Sequence, residues 1–273
     1  MGMISEDSRE SPFSYRNEEV EKPIALFSGS GKEFFSRALA NSGRYIDRVK
    51  AIFRAEGVPE PLAYLALIES GFNNNALSRA SAVGMWQFMS GTGRGYGLKI
   101  GGHIDERRDF IRATRAAADH LRDLHRAFGD WYLALAAYNA GSGYIKAKMR
   151  QVGTEDYWVL APHLYTETQL YVPRFLAACA IARNPGHFGF DGQLGQPEHF
   201  HRVVVRNNST LAQLALLHGV PVEAITRLNP HLLSGIIPAS DDGIGVNIPL
   251  ENRTAWRPLG VLADLIHGHP DNG

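Results

Sequence analysis

The chain has 273 residues, 44% of them hydrophobic, enough for one domain of ordinary size and a smaller one with its own core. Lys plus Arg and Asp plus Glu both number 28, so the net charge is zero. No overall field draws nucleic acid or an anionic membrane, and an uncharged or mixed-charge substrate fits better. No apolar stretch approaches the ~20 residues that span a bilayer. The polar N-terminus lacks the apolar core of a signal peptide, although a chain trimmed of a targeting segment would read the same. The single cysteine, Cys179, lies in an apolar run at 175–181 and reads as a buried thiol, so a disulfide within the chain is excluded.

Residues 1–30 are rich in Ser, Glu and Arg and read as a flexible leader. A helix is expected from there to about residue 56, with Tyr45, Val49, Ile52 and Phe53 on one face, closed by Gly57 and then Pro59. The next helix begins near Pro61. On it Leu62, Leu65, Ala66 and Glu69 fall at i, i+3, i+4 and i+7, which puts a carboxylate on an apolar stripe. Ala63, Tyr64, Leu67 and Ile68 are uncharged as well, so this helix is expected to be buried, with Gly71 ending it.

After a polar, Gly-rich passage at 73–102, the repeat Thr114, Ala117, Leu121, Leu124, Phe128 predicts a helix over 109–128, ended by Gly129. Asp130 is placed to cap another over 131–140. Thr166 and Gln169 form a capping-box pattern ahead of an apolar segment that stops at Asn184-Pro185. Residues 31–190 thus read as one mostly helical domain. Five glycines and prolines at 186–197 suggest a linker. Residues 200–250 then read β-α-α-β: the β-branched Val203-Val204-Val205, helices over 210–218 and 222–228, and a strand at Val246-Asn247-Ile248. Residues 251–273 form a tail. The expected fold class is α+β, mostly α-helical.

Cleaving a glycosidic bond requires a proton donor at the leaving oxygen, and a carboxyl serves near neutral pH only where its charged form is disfavoured. Glu69 meets that condition: an apolar stripe desolvates it and a helix C-terminus presents carbonyl partial charge, both pushing its pKa upward. Taken alone, a Glu near a helix end also reads as a surface or hydrogen-bonded structural residue. Three motifs in order decide between these readings: Glu69-Ser70-Gly71-Phe72, Gly84-Met85-Trp86-Gln87-Phe88-Met89 and Ala137-Tyr138-Asn139-Ala140-Gly141.

With these motifs the sequence resembles the lysozyme-like lytic transglycosylases, and within them the membrane-bound lytic transglycosylase D subgroup. Gly95-Tyr96-Gly97-Leu98, Asp105-Glu106-Arg107-Arg108-Asp109, Glu167-Thr168 and Tyr171-Val172-Pro173-Arg174-Phe175 extend the likeness over residues 58–182. The resemblance implies a lysozyme-like catalytic domain in which Glu69 is the sole catalytic acid/base. It implies that Ser78, Gln87, Met89, Tyr138 and Asn139 line the sugar groove, supported by Glu167 and Tyr171. Each has an alternative: Ser78 and Asn139 as turn or cap residues, Met89 as core, Tyr138 as a buried aromatic and Glu167 as a surface residue. Gln87, between Trp86 and Phe88, needs partners for its amide, and a sugar N-acetyl group or the catalytic carboxylate would serve. Asn74 stands where the family often has Pro.

The 201–250 unit resembles a LysM module, a small glycan-binding domain, through Thr210-Leu211, His218-Gly219-Val220, Leu228-Asn229-Pro230 and Ile248-Pro249. Its first turn, Asn207-Asn208-Ser209-Thr210, departs from the usual Gly-Asp-Thr, and a purely structural extension of the catalytic domain is the alternative. His199-x-His201 and His267-x-His269 lack further ligands at metal spacing, so neither a metal nor any other cofactor is expected.

The implied activity is cleavage of the MurNAc-GlcNAc bond of peptidoglycan glycan strands, with closure to a 1,6-anhydro end instead of hydrolysis. The implied setting is the periplasm or cell envelope, and a monomer is expected. Two other readings stay open: a lysozyme-type hydrolase, for which Asp105 or Glu106 would have to approach the groove, and a peptidoglycan-binding protein without activity.

Overall fold

Apolar stripes place the helices of the computed structural model, which describes Phe13 and residues 18–250. The helical part comprises α1 (Glu18–Ser28), α2 (Lys32–Ser42), α3 (Ile46–Ala55), α4 (Leu65–Glu69), α5 (Ser90–Gly95), α6 (Phe110–Phe128), α7 (Trp131–Ala140), α8 (Ser142–Val152), α9 (Tyr157–Leu160) and α10 (Thr166–Arg183). The C-terminal part follows as β1 (Phe200–Val205), β2 (Ser209–Thr210), α11 (Leu211–His218), α12 (Val222–Leu228), β3 (Ile236–Ile237) and β4 (Ile244–Pro249). Residues 1–12 and 14–17, the 251–273 tail, and with it His267 and His269, lie outside the described residues.

The expected helices at 109–128 and 131–140 appear as α6 and α7, each started by an aspartate. The Asp109 carboxylate accepts from the backbone N–H groups of Ile111 and Arg112, and that of Asp130 from Leu133, the cap geometry that satisfies otherwise orphaned donors. α10 runs through the middle of the helical core, buried from Tyr171 to Cys179 on nearly every side and packed against α1, α4 and α7. It tolerates Pro173 because the carbonyl that loses its helical donor, that of Gln169, accepts the Tyr157 hydroxyl at 2.9 Å.

Several expectations are corrected. Residues 18–28, expected to belong to a flexible leader, form α1: Val20, Pro23 and Phe27 share a stripe that packs onto α10 and α2, and Phe27 stacks on Phe35. Three well-spaced apolar side chains outweigh the polar composition around them. The helix expected to run to residue 56 is broken into α2 and α3 at Gly43. A Cβ there would lie 2.4 Å from the Gly195 carbonyl oxygen, and Gly195 N–H bonds the Ala40 carbonyl at 2.7 Å. The Gly-rich 186–197 stretch is therefore pinned across the α2–α3 break. No capping box forms at Thr166, because the N-cap is Tyr165, whose carbonyl already takes the Gln169 N–H. α5 and α8 arise in segments where no helix was expected, and the first turn of the Glu69 helix is 3₁₀ over Glu60–Tyr64.

In the C-terminal part β1 pairs antiparallel with β4, from Phe200 opposite Pro249 to Val205 opposite Ile244, and α11 and α12 cover the pair. A short β2–β3 ladder is an addition to the expected β-α-α-β pattern. Its core of Val205, Leu211, Leu214, Ile225, Ile237, Ile244, Val246 and Ile248 is completed by Ile104 from the helical part, while Phe200 and Leu228 enter the helical core. Backbone bonds tie the two parts: Asp105 N–H to the His231 carbonyl at 2.8 Å, and Leu233 N–H to the His103 carbonyl at 3.0 Å.

Between them lies a buried charge centre. The Arg202 guanidinium forms a two-pronged pair with the fully buried Asp109 carboxylate and also donates to the Asn247 side-chain oxygen at 2.9 Å. The buried His231 ring faces the same carboxylate at 3.7 Å and reaches the Gly245 carbonyl at 3.0 Å. Gly245 lets the guanidinium lie flat, since a Cβ there would sit 2.3 Å from it. Burial alone would raise the Asp109 carboxyl; the facing His231 and Arg202 reverse this and hold it below its ordinary range. Burial keeps His231 below its own usual value despite Asp109, so at pH 7 the standing countercharge is Arg202.

Replacing Arg202 with Met should cost about 2–3 kcal/mol in urea unfolding at pH 7, because Asp109 stays buried without its partner. Since the Asp109 pKa is depressed by folding, the pair's contribution is present above the unfolded carboxyl value of about 4 and is lost as pH falls through the lower folded value. The gap between parent and Arg202→Met should close in acid, and a pH-independent gap would refute the pairing as its source.

Candidate active site

Glu69 is the last residue of α4, a helix so short and apolar that Leu65, Ala66 and Leu67 are wholly buried. Beyond it the chain turns sharply: Gly71 and Phe72 take positive φ of 63° and 58°, and the Phe72 N–H closes back on the Ala66 carbonyl at 3.0 Å. A phenylalanine in the left-handed region is strained, and burial of its ring in the core holds it there. Glu69 itself is enclosed by protein on most sides while still meeting solvent.

The Tyr171 hydroxyl donates to Glu69 Oε1. Burial raises the Glu69 carboxyl to about 7; the Tyr171 bond pulls it down and the charge of Glu167 pushes it up. Burial and the Glu69 charge both raise the Tyr138 and Tyr171 hydroxyls well above their ordinary value, so both stay protonated donors. Glu167 is exposed in the first turn of α10, one turn before Tyr171.

Four hydrogen bonds tie the three motifs to one another and to the helices around them. Ser70, next to Glu69, donates its hydroxyl to the Met85 carbonyl at 2.8 Å, and the Tyr138 hydroxyl donates to the Trp86 carbonyl at 2.8 Å. The Trp86 indole, stacked on Phe53, donates to Thr114 of α6 at 3.0 Å. Thr168 of α10 donates to the Asn139 side-chain oxygen at 2.8 Å, joining the end of α7 to the helix that carries Glu167 and Tyr171.

The segment 73–89 forms one wall. Ser78 accepts the Ala82 N–H through its hydroxyl at 3.0 Å, so it serves a turn. Gln87 has φ of 50°, and its amide donates to the Gly84 carbonyl at 2.8 Å; its partner is a backbone group and not the Glu69 carboxylate. Met89 is 47% exposed, so it is not core. None of these three bonds Glu69. Gly84 permits the segment to seat, because a Cβ would meet the Arg107 carbonyl oxygen at 1.9 Å. The described non-glycine residues with positive φ are Phe72, Ser81 and Gln87, all on this wall or its approach.

Asp105 and Glu106 are otherwise engaged. Asp105 is buried in a two-pronged pair with Arg107 at 2.9 and 2.7 Å, and Glu106 accepts the Lys99 N–H at 2.8 Å beside Arg112. Ser70, Thr168 and Thr114 were missed as site residues: the first two stand inside quoted motifs, but a hydroxyl's partner is invisible until the fold brings it near. Asn74, where the family often has Pro, is buried and leaves its Oδ1 without a partner. Among the described residues, no three His, Cys, Asp or Glu side chains converge on a metal-sized site.

A carboxyl whose folded pKa is raised destabilises the protein once it must ionise. Between about 4.5 and 7 the native state holds the proton that the unfolded state has lost, so stability falls across that window. Glu69→Gln should therefore unfold later than the parent at pH 8, by roughly 3 kcal/mol, and equally at pH 4. Parallel denaturation curves at the two pH values check this; a variant no more stable than the parent at pH 8 would contradict a desolvated Glu69.

Residues 49–161 match the Transglycosylase SLT domain, and residues 199–258 match the LysM-like domain of lytic transglycosylase MltD. The membrane-bound lytic murein transglycosylase D of Escherichia coli K12 is 33% identical over 193 residues, 68% of this chain and 42% of the relative, so the chain spans less than half the length of that protein. A putative tributyltin chloride resistance protein of an Alteromonas species is 36% identical over 107 residues, 39% of this chain and 52% of the relative. Among solved structures, the 70 kDa soluble lytic transglycosylase of Escherichia coli aligns with a TM-score of 0.45 at 25% identity, over 51% of this chain and 24% of that one. The helical part of this chain, with Glu69 at its centre, therefore belongs to the Transglycosylase SLT family, and the C-terminal part to the LysM-like domains of lytic transglycosylase D.

Proposed function

We propose that the protein cleaves peptidoglycan glycan strands as a lytic transglycosylase, with Glu69 as its only acid/base. The observation that carries this reading is a desolvated carboxyl, its pKa raised to about 7, oriented by Tyr171; among the described residues the carboxylate whose charge acts on it is Glu167, exposed in the first turn of α10. Protonated Glu69 donates to the oxygen between MurNAc and GlcNAc. The substrate's own N-acetyl oxygen stabilises the cation at C1, the substrate-assisted exception to the two-carboxylate scheme. Ionised Glu69 then takes the proton from the MurNAc C6 hydroxyl, which closes on C1 as a 1,6-anhydro ring; no water is consumed.

Ser78, Gln87 and Met89 on one wall and Tyr138, Asn139 and Glu167 on the other are the proposed sugar-contacting residues, with Tyr171 orienting Glu69. Residues 31–190 form the catalytic domain in this reading and 200–250 the LysM-like module, acting in the periplasm or cell envelope. A hydrolase would need a carboxylate delivering water to C1, and Asp105 and Glu106 are already committed to Arg107, Lys99 and Arg112.

Glu69→Gln should lose at least about 100-fold in turbidity clearing of purified sacculi, the usual worth of a general acid. Mass spectrometry of the released muropeptides should find anhydro ends, and reducing ends would sink the transglycosylase reading. Because Glu69 must begin protonated, kcat/KM should fall as pH rises through about 7. Tyr171→Phe removes the bond that favours the ionised form and should move that limb to higher pH. Glu167→Gln removes a like charge and should move it lower. Shifts in the same direction would show that the limb belongs to another group.

A further inference from the structure

Tyr165 and Tyr144 stand outside the residues assigned so far, yet they lie close in the chain to Glu167 and Asn139 of the proposed groove. Tyr165 is the N-cap of α10, two residues before Glu167 and three before Thr168, which bonds Asn139. Tyr144 lies on α8, the helix that follows Asn139 by way of Gly141. The two rings stack face to face, with centroids 4.5 Å apart and planes within 6°. The Tyr165 N–H donates to the Tyr144 hydroxyl at 3.0 Å, and the Tyr165 carbonyl accepts the Gln169 N–H at 2.9 Å. Tyr144 packs against the helical core on its inner side. Tyr165 is therefore fixed from both backbone directions and backed by a second ring, yet it is 68% exposed.

An isolated exposed tyrosine is ordinary. A tyrosine held flat, with its inner face occupied and its outer face bare, is preorganised to receive another flat, weakly polar surface, because little side-chain freedom remains to be lost on binding. The apolar face of a pyranose ring is such a surface. Six residues at ~1.5 Å rise place the Tyr165 backbone ~9 Å along the α10 axis from that of Tyr171, whose hydroxyl meets the Glu69 carboxyl, a spacing on the scale of a disaccharide.

We propose that the outward face of Tyr165, set by the stack on Tyr144, is a stacking platform for a sugar ring of the glycan strand, about one disaccharide from the bond that is cleaved. This rests on the glycan-cleaving reading of Glu69. The platform takes no part in the chemistry; it lengthens the strand the site can grip and so acts on KM and on the length of glycan preferred.

The test uses the full chain carrying Glu69→Gln, to prevent turnover, and the hexamer of β-1,4-linked N-acetylglucosamine as probe in titration calorimetry. Adding Tyr165→Ala should weaken the hexamer about fivefold, the scale of one aromatic stacking contact, with an unchanged unfolding midpoint. Tyr165→Trp should restore affinity, whereas Tyr165→Leu, of similar bulk but without a ring face, should not. Affinity within twofold of the parent for Tyr165→Ala, equal rescue by Leu and Trp, or a parent that does not bind the hexamer would each overturn the platform. In catalytically intact protein Tyr165→Ala should raise KM on sacculi with kcat kept. Cleavage with anhydro ends at an unchanged KM would refute the platform alone. Binding through Tyr165 without any cleavage would refute the Glu69 reading alone.

Discussion

Burying an ionisable carboxyl at the end of a short apolar helix is the constraint around which the helical part is arranged. An unpaired charge in that position is costly, and the protein contains it in two ways. It leaves the carboxyl partly open to solvent on one side, and it supplies a single neutral donor, Tyr171, on the other. A cation in place of Tyr171 would hold the group ionised, and no donor at all would leave it without orientation. The tyrosine sits on α10, the most buried helix, whose position is secured by the hydroxyl of Tyr157 below Pro173 and by α1 along its flank. The orientation and protonation of Glu69 thus depend on packing that lies far along the chain from it.

The wall opposite α10 is built by strain and close approach. Phe72, Ser81 and Gln87 hold left-handed backbone that non-glycine residues rarely adopt, and such conformations persist only where surrounding contacts over-determine them. Here those contacts are identifiable: the buried Phe72 ring, the Ser70 and Tyr138 hydroxyls on the Met85 and Trp86 carbonyls, and Arg107 on the Ser81 and Phe88 carbonyls. The same Arg107 pairs with the buried Asp105 carboxylate, so Asp105 is engaged in holding the wall.

The LysM-like part is not strung behind the helical part on a loose linker. Asp109 caps α6 and at the same time pairs with Arg202 of β1, so one carboxylate starts a helix of the helical part and fastens the C-terminal part to it. With Ile104 in the module's core and Phe200 in the helical core, the two parts share their apolar interiors. In the turn that departs from the usual module, Asn208 and Thr210 are engaged structurally, Asn208 holding the Ala239 N–H and Thr210 capping α11. A module mounted this way presents one fixed face relative to Glu69.

Read alone, the chain determined the fold class, the boundaries of α6 and α7, the end of α10 and the β-α-α-β order, because those follow from apolar spacing, aspartate caps and Gly or Pro stops that act within a few residues. It also marked Glu69 as a carboxylate on an apolar stripe, since desolvation is foreshadowed by the neighbours at i−3, i−4 and i−7. Tertiary structure alone decided the rest. The α2–α3 break comes from Gly195 crossing Gly43, and the ordering of α1 from a partner helix some 150 residues away in sequence. Gln87 is turned to the Gly84 carbonyl, Asp105 to Arg107 and Glu106 to the Lys99 N–H, contacts made in irregular segments that helix and strand periodicity do not describe. Hydrogen-bond partners and the sharing of charge are properties of distance in space, and for Glu69 that distance is set by Tyr171 and Glu167, about a hundred residues along the chain.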